Sequence, residues 1–298
     1  MKIKKIETNF KRKLFMKESF DKCFSPDIKN EENLIINIYP SITYQELIGF
    51  GGALTGSTCY NLSVCEKSVS NQILDEYFLP NGFNYNICRL SIGSSDFSLN
   101  SYSYSNKSDL SDFSINEDMK YIVPAIKRAQ NRNTRLQFLA SPWSPPYFMK
   151  SNKILTKGGK LLPEFKKTYA NYLAKYIKAY EKENININYM TIQNEPNAVQ
   201  TWESCLYTAD EEIDLLTNYI YPEFRNNNIK TKLFIWDHNK EKLLYRTLNS
   251  LKTPKSLHDV SGIAFHWYTG DHFENIELVK NMFPDKLLFH TEGCTRIF

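Results

Sequence analysis

The sequence lacks the features that would indicate several common classes of protein. Its six cysteines form no C-x-x-C pair, so neither a zinc site nor a dense disulfide framework is predicted, and we interpret them as reduced and mostly buried. No stretch is long and uncharged enough to span a bilayer. No phosphate-binding loop of the G-x-x-x-x-G-K-[ST] type is present, and residues 49–52 lack the third glycine of a dinucleotide-binding motif, so no cofactor is expected.

The charge is also nearly balanced. A net charge of +4 on 37 basic and 33 acidic residues is far from the concentrated basic field that nucleic-acid binding usually requires, so no nucleic-acid partner is expected. The N-terminus is positive like a signal peptide, but charged residues from Glu7 to Lys13 interrupt any apolar region that could follow. The expectation is therefore a cytoplasmic protein, or a secreted one if the true start lies upstream.

What the sequence does contain is a repeating pattern of strands and helices. With 42% hydrophobic residues the chain can bury a large core. Apolar runs alternate with amphipathic helical stretches, which is typical of a parallel sheet built from βα units, and their span of roughly 250 residues is that of a (β/α)₈ barrel. Capping-box patterns at Ser63/Glu66 and Thr208/Glu211 predict two helix starts. Seven strands can be counted, at residues 47–53, 85–92, 135–140, 187–193, 232–236, 262–266 and 286–290.

Polar and aromatic residues follow these apolar runs. In an eight-fold barrel the active site lies at the C-terminal ends of the strands, so these are the residues that would form it. Acids and amides beside aromatic rings suit a carbohydrate, whose flat apolar face stacks on tryptophan while its hydroxyls need directional hydrogen bonds. In strand order they are Asp96, Trp143, Asn194 with Glu195, Asp237 with His238, His266 with Trp267 and Tyr268, and Glu292.

Two of these strand ends carry a glutamate. Glu195, within Asn-Glu-Pro, follows the fourth strand, and Glu292 follows the seventh. Two carboxylic acids in one pocket are the minimum apparatus for cleaving a glycosidic bond, because one must protonate the leaving oxygen while the other attacks the sugar carbon or activates water. Their placement in an independently counted series of strands favours this interpretation.

Each residue also has an ordinary structural interpretation. Asn-Glu-Pro taken alone fits a strand-to-loop turn with a solvated acid, Arg89 is as well explained as a buried ion-pair partner, and Trp143 could pack a loop. The three histidines His238, His266 and His290 come from separate strands without i, i+4 spacing, so the sequence favours hydrogen bonding over a metal site. No metal is therefore expected.

Six short motifs occur in order along roughly residues 40–298. They are GFGGALT (49–55), RLSIGSSDFS (89–98), ASPWSPP (140–146), TIQNEP (191–196), FHWY (265–268) and TEGC (291–294). Together they resemble glycoside hydrolase family 30, which contains the glucosylceramidases and related bacterial β-glycosidases. The resemblance implies a (β/α)₈ catalytic barrel and a carbohydrate or glycolipid substrate.

The resemblance also implies roles for individual residues. Glu195 matches the general acid/base and Glu292 the nucleophile of a retaining mechanism, in which the two carboxyl groups stand about 5–5.5 Å apart. Asn194 would bind the sugar 2-hydroxyl. Glu292 must be ionised to attack, whereas Glu195 must hold a proton until the leaving oxygen needs it. Further matches are Asp96 and Trp143 as sugar-holding residues, Tyr268 as a hydrogen-bond donor to the nucleophile, and Arg89, Asp237 and His266 as supporting residues of the rim.

The chain departs from the family pattern at its C-terminus. Family members continue past the nucleophile into an eighth strand and a β-sandwich side domain partly formed by the N-terminal strand. The sequence-based expectation is therefore an N-terminal extension, residues 1–40, with one strand (33–39) of that side domain, followed by a catalytic barrel, residues 41–298, without strand eight. The alternative to a retaining β-glucosidase is an inactive or poorly active barrel that binds sugar or needs a separately encoded C-terminal fragment.

Overall fold

The structure, a computed structural model, describes residues 3–21 and 37–294 and divides into two compact units, Met1–Leu47 and Ile48–Phe298. The first unit contains an antiparallel hairpin of β1 (Ile3–Asn9) and β2 (Leu14–Asp21), which the sequence analysis did not predict. The strand predicted at residues 33–39 lies mostly outside the described residues, and residues 37–39 form no strand.

The second unit is a parallel α/β barrel-type sheet of seven strands. All seven predicted strands are confirmed, and they hydrogen bond in chain order, so that the first and last strands of the series are the edges of the sheet. The strands are β3 (Gly51–Ala53), β4 (Ile87–Ile92), β5 (Gln137–Pro142), β6 (Ile187–Thr191), β7 (Lys232–Asn239), β8 (Gly262–His266) and β9 (Leu287–Glu292).

Helices connect successive strands, as parallel pairing requires. No helix of the described residues is long and apolar enough to cross a membrane. In chain order they are α1 (Gly56–Val64), α2 (Lys67–Phe78), α3 (Asn116–Gln130), α4 (Lys166–Lys182), α5 (Ala209–Leu215), a π-helical turn (Leu216–Ile220), α6 (Tyr221–Asn226), α7 (Leu243–Ser250), α8 (Pro254–Asp259) and α9 (Phe273–Met282).

One predicted capping box is confirmed and the other is wrong. Thr208 and Glu211 cap α5 reciprocally, side chain to backbone in both directions. Ser63 instead lies inside the last turn of α1, where its hydroxyl donates to the carbonyl of Tyr60, and Glu66 becomes the N-cap residue of α2 without a side-chain bond. The helix α1 therefore continues through Ser63, where the sequence pattern predicted the start of a new helix.

The sheet has a helix-covered face and an opposite face, and the alternation along each strand separates them. Leu139, Tyr189, Phe234 and Ala264 form a small buried cluster of their own, apart from the main core between sheet and helices. Two residues further along β5 and β6, the same face carries the polar Ser141 and Thr191, both fully buried. The apolar cluster is therefore the floor beneath a polar layer at the C-terminal ends of the strands.

The cysteines within the described residues are all free. Cys59, Cys88 and Cys205 are buried, Cys65 is partly buried and Cys294 is exposed. This agrees with the expectation of thiols that are mostly buried. Burial raises the pKa of the Cys88 thiol to about 12, which disfavours the reactive thiolate.

Candidate active site

Irregular backbone aims side chains from the strand ends into one cleft. The register between β7 and β8 slips at Asp237, and the register between β8 and β9 slips at Thr291, so each is an extra residue that bulges from its strand. Glu195 and Asp237 both adopt positive φ, at 47° and 49°, a conformation that non-glycine residues rarely hold and that clusters at functional sites. The backbone N–H of Glu195 donates to the carbonyl of Asp237 at 3.0 Å, which joins the two strand ends.

The two glutamates face each other across this cleft. One carboxylate oxygen of Glu195, one of Glu292 and a ring nitrogen of His266 all lie within 4.8 Å of one another. The two carboxylates are mostly buried, with 12% and 20% of the Glu195 and Glu292 side chains exposed. Both acids can therefore reach a single small group placed between them.

Glu292 is held by two donors. The Arg89 guanidinium contacts one carboxylate oxygen at 2.5 Å, and the Tyr268 hydroxyl donates to the other at 2.9 Å. Burial and the charge of Glu292 raise the pKa of Tyr268 well above its usual value, so that this hydroxyl keeps its proton. Charge-assisted hydrogen bonds of this kind stabilise the ionised form of a carboxylate.

Glu195 has a different set of neighbours. His266 Nδ1 lies 3.3 Å from one carboxylate oxygen, Gln200 Nε2 donates to the other at 3.2 Å, and His238 Nε2 lies 3.8 Å away. Burial raises the pKa of Glu195, but the hydrogen bond from His266 and the charges of His238 and His266 outweigh it, and the net shift is downward. This direction differs from the sequence-based expectation of a proton resting on Glu195.

Asp237 lies at the centre of the polar layer and connects the two sides. It is fully buried and accepts hydrogen bonds from Arg89 Nη2 at 2.8 Å, Thr191 at 2.7 Å, His266 Nε2 at 3.0 Å and Thr291 at 2.5 Å. Despite its burial, the charge of Arg89 and the bonds from His266 and Thr291 hold the pKa of Asp237 far below its usual range. Asp237 is therefore an ionised acceptor at any ordinary pH.

A chain of charged groups thus joins the two glutamates, running from Glu195 through His266, Asp237 and Arg89 to Glu292. Burial lowers the pKa of His266, but its hydrogen bonds with Asp237 and Glu195 raise it by more. Because ionised Asp237 can only accept, Nε2 of His266 must carry a proton. One further proton is then shared between His266 Nδ1 and Glu195, either as an ion pair or as a neutral pair.

The residues predicted to hold the sugar surround the pair. Trp143 is 7% exposed and its ring lies 4.8 Å from the Arg89 guanidinium carbon, while Asn194 Oδ1 accepts from Arg89 Nη2 at 2.9 Å. Asp96 is exposed at the mouth of the cleft, where partial desolvation by the walls and the charges of Glu292 and Glu195 raise its pKa to about 6. The structure therefore brings all nine predicted residues to one end of the sheet.

Several residues of the site were missed by sequence reasoning. Ser141 and Thr191 bind the buried ends of Arg89 and Asp237, and Thr291 supports Asp237 from the bulge in β9. Thr291 lies inside the TEGC motif, which was a usable signal, and Ser141 and Thr191 are the last inward-facing residues of their strands. Gln200 carries no local signal, because it reaches Glu195 only through the fold of the loop after β6.

The arrangement of Glu195, His266 and Glu292 also has the spacing of a candidate metal site. The neighbouring Arg89 guanidinium opposes a cation at that position, since like charges repel strongly where water is excluded. His290, the third histidine considered as a ligand, instead stacks against Phe265 with ring centroids 5.5 Å apart.

A barrel-type sheet with two facing carboxylates at the C-terminal ends of its strands is characteristic of glycoside hydrolases. Residues 47–297 match the family model described as the glycosyl hydrolase family 30 TIM-barrel domain, and the chain therefore belongs to that family.

Individual relatives agree with this assignment. The chain is 32% identical over 286 residues to putative glucosylceramidase 3 of Caenorhabditis elegans, covering 91% of this chain and 55% of the relative. The crystal structure of SrfJ from Salmonella typhimurium superposes with a TM-score of 0.96 at 33% identity, over 100% of this chain and 67% of that one. The structure of an endo-β-1,6-glucanase gives a TM-score of 0.79 at 30% identity, over 84% and 58%. The chain spans about half the length of the curated relatives that it matches.

Proposed function

We propose that this chain is the catalytic barrel of a retaining β-glycoside hydrolase that acts on β-glucosides. The observation that carries the proposal is the approach of the Glu195 and Glu292 carboxylates to within 4.8 Å at the C-terminal ends of β6 and β9. Retaining enzymes place their two carboxyl groups about 5–5.5 Å apart, whereas inverting enzymes need about 6.5–9.5 Å to admit a water molecule. The separation supports attack on the sugar by a carboxylate.

The different surroundings of the two glutamates support different roles. Glu292, bound by Arg89 and Tyr268, is the nucleophile that attacks the anomeric carbon, while the glycosidic C–O bond breaks and Glu195 gives its proton to the leaving oxygen. In the second step water attacks the same carbon, its proton passes to Glu195, and the bond to Glu292 breaks. Each step leaves the two carboxyl groups with the charges that the next one needs.

The pKa of Glu195 is lowered in the free site, but His266 can supply the proton that Glu195 needs as the general acid. The proton shared between His266 Nδ1 and Glu195 belongs to a buried pair anchored by Asp237. A sugar bound against Glu195 excludes water and disfavours two separated charges, which moves that proton toward the carboxylate. Arg89 and Asp237 act as positioning residues: Arg89 contacts Glu292, Asp237 contacts His266, and the two buried side chains contact each other.

The direct test is hydrolysis of an aryl β-glucoside by the parent chain and by Glu292→Gln, with Glu164→Gln, an exposed glutamate outside the site, as the matched control. Loss of the nucleophile should lower kcat by at least about a thousandfold, whereas the control should match the parent. Equal rates for Glu292→Gln and the parent would show that the nucleophile is assigned wrongly. Proton NMR of the first product should show the β-anomer, and initial release of the α-anomer would refute retention.

Two substrate classes are candidates for the natural substrate. The resemblance to a glucosylceramidase supports a glucosylated lipid, and the resemblance to an endo-β-1,6-glucanase supports a β-1,6-linked glucan. Comparing kcat/KM on glucosylceramide in mixed micelles and on β-1,6-glucan distinguishes them, because only the correct aglycone contributes binding energy to the transition state.

A second candidate function is sugar binding with little or no turnover. The observation that favours it is the pair of sheet edges at β3 and β9, which carry no further strand within the described residues. Unpaired edges leave backbone donors and acceptors exposed beside the cleft. Such a barrel would turn over substrate only when a further strand, from the same or another polypeptide, covers both edges. Turnover by the chain alone contradicts this candidate.

A further inference from the structure

A buried carboxylate outside the catalytic pair contacts two loops of the cleft. Glu203 is 4% exposed and lies in the loop that follows β6, eight positions beyond Glu195 in the printed sequence. Among the described residues no lysine, arginine or histidine lies within 4 Å of its carboxylate, and the nearest charge known to act on it is the buried amine of Lys150. Its side-chain hydrogen bonds come from serine hydroxyls of a different loop, so this buried carboxylate is hydrogen bonded only while that loop is in place.

The loop that supplies these hydroxyls follows β4 and carries Asp96. We call residues 93–101 the β4 loop. Ser94 Oγ, near its start, donates to Glu203 Oε1 at 2.6 Å, and Ser101 Oγ, at its end, donates to the same oxygen. One carboxylate oxygen of Glu203 therefore binds both ends of the loop that carries Asp96, in addition to the direct hydrogen bonds between Ser94 and Tyr102. Asp96 lies close enough to Glu292 and Glu195 for their charges to raise its pKa.

The segment around Glu203 is in turn fixed to the catalytic acid. We call residues 194–207 the β6 loop. Within it, Gln200 N donates to Ser204 Oγ at 3.2 Å, and Gln200 Nε2 reaches Glu195 at 3.2 Å. The loop after β5 supports the same segment, because the buried amine of Lys150 donates to the carbonyl of Ser204 at 2.6 Å. Movement of Glu203 is thus resisted from two sides.

We propose that Glu203 is a positioning residue that joins the β4 loop to the β6 loop and thereby sets where Asp96 stands relative to Glu195. The proposal rests on the proposed function, in that Asp96 is taken to contact the sugar that Glu195 protonates. Side-chain length and acceptor capacity are what this role requires. The formal charge matters less, since an amide oxygen at the same position accepts from both hydroxyls.

The consequences for activity follow from geometry. A misplacement of about 1 Å in a group that contacts the substrate costs up to about a hundredfold in rate. Glu203→Ala should therefore lower kcat/KM on an aryl β-glucoside roughly 10- to 100-fold, chiefly through a higher KM, and weaken a competitive glucose-like inhibitor in parallel. Glu203→Gln should stay within about threefold of the parent, because it retains the acceptor oxygen.

Two further variants protect the test against simple misfolding. Ser101→Ala removes a single hydroxyl at an exposed position, whose only hydrogen bond among the described residues is to Glu203, and should show a weaker form of the same KM effect. Glu203→Ala combined with Ser101→Ala should be no worse than Glu203→Ala alone, because both changes remove one interaction. A double variant whose losses simply multiply would overturn the proposal.

The decisive outcomes separate positioning from stability. A lower melting temperature in Glu203→Ala with unchanged KM and unchanged inhibitor affinity would overturn the proposal, as would a Glu203→Gln variant as impaired as the alanine variant. Hydrogen exchange provides a readout that needs no turnover: amides of the β4 loop should exchange faster in Glu203→Ala than in the parent. If the parent has no glycosidase activity but the β4 loop of Glu203→Ala still exchanges faster than that of the parent, only the proposed function is refuted. Equal exchange in Glu203→Ala and the parent would refute the role of Glu203.

Discussion

Replacing Asp237 with asparagine should destabilise this protein more than any ordinary surface substitution, because it removes a buried charge that four donors share. Asp237 is fully buried, and its partners Arg89 and His266 are 7% and 0% exposed. An asparagine amide can accept with one oxygen only, and its NH₂ group would face donors. Arg89 would retain Glu292 as its one ionised partner.

The size of the effect follows from this geometry. Removing one partner of a buried ion pair costs about 3–5 kcal/mol, since the remaining charge stays desolvated. For a domain of this length each kcal/mol lowers the melting temperature by about 2–4 °C, so the expected fall is about 6–20 °C. The matched control is Asp285→Asn, which breaks a 2.9 Å pair with Lys286 at a side chain that is 71% exposed and should leave the melting temperature unchanged.

The pH dependence gives the effect a recognisable form. The pKa of Asp237 is depressed in the folded state, so its contribution is present above its ordinary value of 3.8 and is lost as the pH falls through the folded value. The pKa of His266 is raised in the folded state, partly by Asp237. The stability that His266 gains from Asp237 is therefore present below the ordinary His pKa of 6.5 and is lost as the pH rises through the folded-state pKa. The difference between parent and variant should therefore be largest at about pH 5–6.

Differential scanning calorimetry at pH 4, 5.5 and 8.5 checks both magnitude and form. A loss below about 1 kcal/mol at pH 5.5 would refute the interpretation of Asp237 as the ionised centre of the site. A loss that grows steadily from pH 5.5 to 8.5 would refute the assignment of a protonated His266, because that proton is then absent from the range in which it should contribute.

Two other predictions concern titrating groups at different depths. Burial raises the pKa of Asp118, which accepts hydrogen bonds from Tyr102, Tyr104 and Tyr180, to about 6, so the stability it contributes is present below its ordinary value of 3.8 and lost as the pH rises through 6. Asp118→Asn should therefore show a smaller decline in melting temperature between pH 4 and 7 than the parent, and an equal decline would contradict this. Gln200→Ala removes a donor that lowers the pKa of Glu195, so the alkaline limb of the kcat/KM profile should move to higher pH, whereas a move to lower pH would contradict the contact.

The strands and most of the site could be predicted because both depend on local patterns. The seven parallel strands follow from apolar runs separated by helical stretches, and the stripe of tyrosines in α4 is buried as its spacing requires. Residues that follow the strands gather at one end by the geometry of parallel pairing. That rule identified Asp96, Trp143 and both glutamates before any distance was known.

Other features were decided by long-range packing. The hairpin of the first unit was missed because the sequences of its strands, IKKIETN and LFMKESFD, show no clear alternation of apolar and polar residues. The capping pattern at Ser63 was misleading because burial of Leu62 and Cys59 keeps α1 helical through it. Arg89 had two interpretations in the sequence, a buried ion-pair partner and a site residue; the structure shows the buried ion pairs, and they place Arg89 beside Asp237 and Glu292 in the candidate site.

The sequence by itself determined the family, the order of the strands and which side chains stand at their C-terminal ends, because these depend on periodicity and on short contiguous motifs. Only the tertiary structure decided that Asp237 connects the two glutamates and that Glu203 joins two loops of the cleft. The reason is physical: bulges of a single residue, positive φ angles and contacts between loops far apart in sequence set the direction of a side chain. No local pattern encodes the distance between residues that only the folded sheet brings together.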